Sequence, residues 1–295
     1  MATAPDRLLR RLEWKLGRRL DGRLQGAYRT VWHGTGIDFH DLRPYTTEDD
    51  VRHIDWNVTA RLDEPFVRQY TEDREMTAWL VIDRSASMRF GQRAGKQSVA
   101  TELAIALGRL VSQGGNRVGA ILFDNTVQQV IPPRTGRDQI LRITRELLRT
   151  PTGTGPGTTT DLAAMLRLAA STTRTRRSLL FVMSDFIGEP GWDRPLAMLT
   201  HRHEVVVIRV VDPAELELPD LGLILVEDAE TGEQVLVDTS DPLLRGRLAG
   251  QVGAREEQLA DGMRRAGVDA HRITTDQDML AALVDMVHRS GRRGR

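Results

Sequence analysis

The 295-residue chain has no cysteine. That absence removes disulfides, thiolate zinc sites, iron–sulfur clusters and cysteine nucleophiles together, so any metal must sit on oxygen or histidine. An excess of charge of one sign is also missing. The 41 Lys and Arg residues balance 41 Asp and Glu, which excludes a globally basic nucleic-acid binder and an acidic tail protein. Lysine itself is nearly absent: Lys15 and Lys96 stand alone among arginines. With the abundance of alanine, glycine and arginine, we read this skew as compositional rather than functional. No window reaches the roughly 20 apolar residues of a membrane span. The longest apolar runs, Ala78 to Ile82 and Val205 to Ile208, have the length of core strands. The N-terminus shows neither the apolar region nor the small-residue cleavage site of a signal peptide, so the expected location is cytoplasmic, without an integral membrane segment. There is no Gly-x-x-x-x-Gly-Lys-Ser/Thr loop and no Gly-x-Ser-x-Gly elbow, which argues against a P-loop nucleotidase and a serine hydrolase.

What is present suffices for a core: 40% of residues are hydrophobic and 28% charged, a globular composition. The pattern divides into residues 1–75, an N-terminal extension, and residues 76–290, the main domain. In residues 7–25, Leu8, Leu9, Leu12, Leu16 and Leu20 recur at helical spacing among arginines, which predicts an amphipathic packing helix with a basic face. Gly34 to Asp73 has weak periodicity and reads as an irregular, charge-paired subregion.

From Thr77 onward apolar strands alternate with periodic helices. Strands are expected at Thr77 to Asp83, Arg117 to Phe123, Val127 to Ile131 (closed by Pro132-Pro133), Ser178 to Ser184 and Val205 to Val211. Helices are expected through Val99 to Leu110, Asp138 to Leu148 and from a cap near Thr160 or Asp161 to Ser171. A hairpin (Leu223 to Val226, Gln234 to Val237), a long helix after Pro242, a strand at Val268 to Ile273 and a helix from Asp276 to His288 complete the chain. The alternation implies an α/β fold with a mostly parallel central sheet covered on both faces. Ligands of such sheets bind beyond the carboxyl ends of strands, where Asp83 and Asp185 fall.

The sharpest motif is Asp83-Arg-Ser85-Ala-Ser87, three short oxygen-bearing side chains alternating after a hydrophobic strand. Two hydroxyls can ligate one hard cation while the aspartate holds coordinated waters. Few carboxylates and several waters suit Mg²⁺, with Mn²⁺ and Ca²⁺ as the other hard cations. Thr158, Thr159, Thr160 and Asp185 offer further oxygens from neighbouring loops. The competing explanation is an Asx-turn plus a helix cap; the order of all three elements, each at an expected strand end, favours the metal.

At these residues the sequence resembles the von Willebrand factor type A domain, a Rossmann-like fold with a metal-ion-dependent adhesion site. The resemblance implies a metal site made of Asp83, Ser85 and Ser87, with Thr160 as the matching threonine and Asp185 as the third-loop aspartate. Upstream, Gly36-Ile-Asp-Phe-His-Asp-Leu-Arg-Pro-Tyr45, Asp49-Asp-Val-Arg-His-Ile-Asp-Trp56, Ala60-Arg61 and Phe66-Val-Arg-Gln-Tyr70 resemble the bacterial family called domain of unknown function 58. That family joins such a signature to a von Willebrand A-like domain and is typically encoded beside MoxR-type AAA+ ATPases. The resemblance therefore implies a Mg²⁺-dependent protein-binding adaptor, with a MoxR-type ATPase and an unidentified client as partners.

Asp38, Asp41, Arg43, Asp49, Asp50, Arg52, Asp55, Arg61 and Arg68 read as a network of complementary charges that fixes geometry rather than adds stability, with Trp56 as an anchor against the sheet. His201 and His203 are expected on one strand face, as surface or packing residues. The enzyme alternative is Mg²⁺-dependent phosphoryl transfer with Asp83 as nucleophile; Ser85 stands where such enzymes usually carry a second aspartate. A nucleic-acid role for the basic arm is the weakest reading and would show strong salt dependence.

Overall fold

The computed structural model describes residues 38–46, 49, 51, 54–62, 64–71, 76–89, 95–124, 127–149, 161–174, 176–217, 220–227 and 234–291. The amphipathic stretch 7–25 and the threonines 158–160 lie outside them.

Strand β1 (Asp38–Pro44) pairs antiparallel with β2 (Phe66–Thr71), and helix α1 (Trp56–Leu62) lies between them in the chain. This ordered hairpin replaces the irregular subregion expected from sequence. The register shifts between Phe39 and Asp41, and such a bulge breaks the period of two by which a strand is recognised.

The main domain runs β3 (Thr77–Asp83), α2 (Gly95–Gln113), β4 (Arg117–Phe123), β5 (Val127–Arg134), α3 (Arg137–Leu147), α4 (Leu162–Thr172), β6 (Leu179–Ser184), α5 (Asp193–Arg202), β7 (Glu204–Val211), β8 (Leu223–Glu227), β9 (Gln234–Asp238), α6 (Pro242–Arg265), β10 (Ala270–Thr274) and α7 (Met279–Gly291). Six strands form one sheet in the order β10-β7-β6-β3-β4-β5, parallel except for β5 at one edge. Strands β8 and β9 form a separate hairpin.

The central strands are apolar on both faces because both are covered. From β3, Ala78, Leu80 and Ile82 enter the core shared with α2, α3 and α7, while Trp79 and Val81 enter the one shared with α4, α5 and the end of α6. Gly262 lets α6 approach that second layer closely: a Cβ there would lie 2.7 Å from the Trp192 ring. The N-terminal half of α6 has no buried residue; its buried positions are Leu259, Gly262 and Met263.

Three expectations are corrected. Pro132 and Pro133 lie inside β5 rather than ending it. They are tolerated because β5 is an edge strand with a register shift opposite Val118 and Ala120, and Gln139 donates to the carbonyls of Val118 (2.8 Å) and Pro132 (2.9 Å). His201 and His203 do not share a strand face. His201 lies in the last turn of α5, whereas His203 is buried as its C-cap, between Thr173 Oγ1 at 3.1 Å and the Ser178 amide at 3.2 Å. Trp56 is 69% exposed and so does not anchor the extension to the sheet.

Candidate metal centre

The chain leaves β3 toward β4 on one side and later adds β6 on the other. The crevice between the carboxyl ends of β3 and β6 is therefore the topological switch point, where open parallel sheets place their ligands. Asp83 ends β3 and Ser184 ends β6. Ser184 Oγ donates to Asp83 Oδ2 at 2.6 Å and accepts from the Phe186 amide at 2.9 Å. The other carboxylate oxygen, Asp83 Oδ1, accepts from the Ser85 amide at 2.9 Å. This Asx-type turn brings the Ser85 and Ser87 hydroxyls to 3.0 Å from each other.

The spacer of the motif is also engaged. Arg84 is buried, and its guanidinium reaches across to the carbonyls of Glu146 (3.4 Å) and Arg149 at the end of α3.

Asp185 is held from several sides. Its Oδ1 accepts from the Ile187 amide at 2.9 Å, Lys96 Nζ donates to Oδ2 at 2.6 Å, and Arg209 Nε donates to its carbonyl at 3.2 Å. Arg209 is in turn clamped by Glu256 at 2.7 and 2.5 Å. The next residue, Phe186, has φ 57°, a left-handed conformation that a side chain rarely adopts. Its buried ring packs edge-on against Trp192, with centroids 5.1 Å apart.

The two aspartates differ in their electrostatics. Asp185 has an ammonium against it; among the described residues no ion pair reaches Asp83. Burial, and then the neighbouring charge of Asp185, push the Asp83 carboxyl up from 3.8 to about 7 against the hydrogen bonds from Ser184 and Ser85. A buried carboxylate in this setting calls for a proton or a cation.

Sequence reasoning missed three participants. Lys96, read as one of two compositional leftovers, is fully buried between Asp185 and Glu215. Its rarity was the available signal. Ser184 carries no motif and is found only through the sheet register, whereas Glu215 belongs to the Asp212–Glu215 capping box on the turn after β7, and its contact with Lys96 has no signal in the sequence. Of the remaining candidates, Thr160, Asp50 and Arg52 lie outside the described residues, as does the side chain of Asp38. Arg43 pairs with Asp49 at 2.8 Å, and that guanidinium together with Thr46 lowers the Asp49 carboxyl to about 2. Asp55 is buried and accepts from the Val58 amide in α1, while Arg61 is exposed. Arg43 lies on β1 and Trp56 and Arg61 on α1, with Asp49 and Asp55 on the segment between the two elements.

Among the described residues no three His, Cys, Asp or Glu side chains could hold a metal. A cation here would therefore depend on hydroxyl oxygens. Ser85 Oγ and Ser87 Oγ are hydrogen-bonded to each other at 3.0 Å, and the same separation would let both serve as neighbouring ligands about 2.1 Å from an octahedral Mg²⁺.

The family model for "Protein of unknown function DUF58" matches residues 41–258, from β1 into α6. The chain belongs to the DUF58 family. It is similar to uncharacterized protein Rv1480 of Mycobacterium tuberculosis, at 39% identity over 287 residues, covering 97% of this chain and 89% of that one. A shorter relative, uncharacterized protein MAV169 of Mycobacterium avium, is 36% identical over 164 residues, 56% of this chain and 95% of its own. Among solved structures, BatB from Bacteroides thetaiotaomicron is similar with a TM-score of 0.47 and 15% identity, over 74% of this chain and 98% of that one. An aerotolerance-related membrane protein from Bacteroides fragilis gives 0.46 and 17% over the same shares. In this DUF58 chain, no helix among the described residues is long and apolar enough to cross a membrane.

Proposed function

We propose that the chain is a metal-dependent protein-binding adaptor with a von Willebrand A-like domain. Its site at the β3–β6 crevice would take one Mg²⁺ and, through it, an acidic residue of a partner. Ser85 and Ser87 would hold the ion directly, Thr160 would join them from its loop, and Asp83 and Asp185 would act through its waters. The bound cation would supply Lewis acidity toward a carboxylate. The observation that carries this reading is the pair of hydroxyls set 3.0 Å apart beside the buried Asp83. The partner follows from the family resemblance: a MoxR-type AAA+ ATPase acting with an unidentified client in chaperone-like assembly, in the cytoplasm.

Asp83 as a phosphoryl-accepting nucleophile is the weaker reading. Its side chain is fully buried, and both of its oxygens already accept hydrogen bonds. Isothermal titration of Mg²⁺ or Mn²⁺ into wild type and Asp83→Ala tests the proposal. Binding by wild type alone is expected; equal titrations with a folded mutant would remove the metal assignment.

A further inference from the structure

Among the described residues Lys96 is the largest fully buried side chain, with its ammonium in contact with Asp185 at 2.6 Å and with Glu215. It is the second residue of the 19-residue helix α2, in the first turn, where the helix dipole disfavours a positive charge. Burying such a charge is costly, and a buried ion pair adds little to stability compared with an apolar packing of the same shape. The arrangement therefore asks for a role other than holding the fold.

That role follows from what the ammonium does to Asp185. One oxygen of this carboxylate faces Lys96 and the other faces the Ile187 amide. Asp185 is thus paired with an ammonium and turned to other donors, whereas Asp83, ending the neighbouring strand, has no such counter-charge among the described residues. Glu215, 16% exposed on the turn after β7, shares the ammonium and fixes its position from the far side.

We propose that Lys96 is a positioning residue that holds Asp185 out of the inner ligand set and offsets part of its charge, so that a bound divalent cation stays electrophilic toward a partner's carboxylate. This rests on the reading that the crevice takes a divalent cation. An anionic Asp185 free to turn would bind the cation more tightly but would spend its charge, leaving less attraction for an incoming aspartate or glutamate. Lys96 exchanges cation affinity for partner affinity.

The test is isothermal titration of Mn²⁺ into the full chain and its variants, with circular dichroism to check folding. Lys96→Met should bind Mn²⁺ at least about tenfold more tightly than wild type, because a nearby positive charge is removed and Asp185 is released. Asp185→Asn, which removes one of the two carboxylates sharing the Lys96 ammonium, should bind at least about tenfold more weakly, and the double variant, which keeps the net charge of wild type, should return to within roughly threefold of it. Lys96→Arg should stay near wild type. A merely structural role would weaken binding in the single and double variants alike. Should Lys96→Met fail to fold, the double variant decides: near-wild-type affinity supports the proposal and lost affinity overturns it. Unchanged or weaker binding by a folded Lys96→Met, with Asp83→Ala still abolishing uptake, sinks this inference and leaves the cation reading standing. A wild-type chain that takes up no Mn²⁺ sinks both.

Discussion

Ser184 Oγ donates to Asp83 Oδ2 at 2.6 Å, tying together the carboxyl ends of two adjacent parallel strands whose residues are 101 positions apart in the chain. The same hydroxyl accepts from the Phe186 amide, so it holds the left-handed turn that follows Asp185. Ser184→Ala therefore orphans two buried groups at once. Each unsatisfied buried group costs about 1–3 kcal/mol, and the urea midpoint should fall accordingly. A variant as stable as wild type would show that the bond contributes nothing.

The raised Asp83 carboxyl makes stability depend on pH with a definite sign. Its folded value of about 7 exceeds the ordinary 3.8, so the folded state binds the proton more tightly than the unfolded state. The contribution is fully present below the ordinary value and is lost as pH rises through the folded one. Without divalent cations, stability should thus decline from mildly acid pH toward neutral. Mg²⁺ requires the ionised carboxylate, so its thermal shift should grow over the same range, with affinity rising roughly tenfold per pH unit below about 7. Melting curves across pH, with Mg²⁺ and with EDTA, measure both; a Mg²⁺ shift that is flat with pH would contradict the assignment.

Helix α6 offers one substitution with two signs. Gly246, Gly250 and Gly253 have nothing within 4 Å of an added Cβ, whereas at Gly262 that atom would press on the Trp192 ring. Alanine at the open sites should stabilise by up to about 1 kcal/mol each through helix propensity. At Gly262 the overpacking cost of about 1–3 kcal/mol should outweigh that gain. Thermal melts of Gly250→Ala and Gly262→Ala should move in opposite directions.

Trp56 stands at the first position of α1 with most of its surface in solvent. Trp56→Ala should change the unfolding free energy from urea titration by no more than about 0.5 kcal/mol. A loss of 2 kcal/mol or more, on the order of a buried aromatic, would restore the anchoring role expected from the sequence.

The parallel sheet was legible because its strands are buried on both faces. Thr77–Asp83 and Arg117–Phe123 stand where their apolar runs end, and the first of these runs delivers Asp83 to the carboxyl edge of the sheet. The β1–β2 hairpin was not legible, since its bulge interrupts the alternation. Helix α5 was hidden by the His201-Arg-His203 spacing, which mimics a strand face. Within the site, Ser85 and Ser87 were readable from local spacing. Lys96 was not, because its contacts to Asp185 and Glu215 cross 89 and 119 residues, and no local pattern encodes a separation of that kind.

Arg84 occupies the position that the motif Asp-x-Ser-x-Ser leaves blank, yet its side chain spans to carbonyls 62 and 65 residues along the chain. A one-dimensional pattern treats that position as a wildcard, but here the tolerated alternatives are bounded by reach and by the number of N–H groups at the tip. Lysine has the length but not the planar fork that serves two carbonyls. A shorter residue would leave the end of α3 uncapped and the first site loop without its brace. The least specified letter of the motif is thus the one that fastens the loop to α3, the helix packed beside α2.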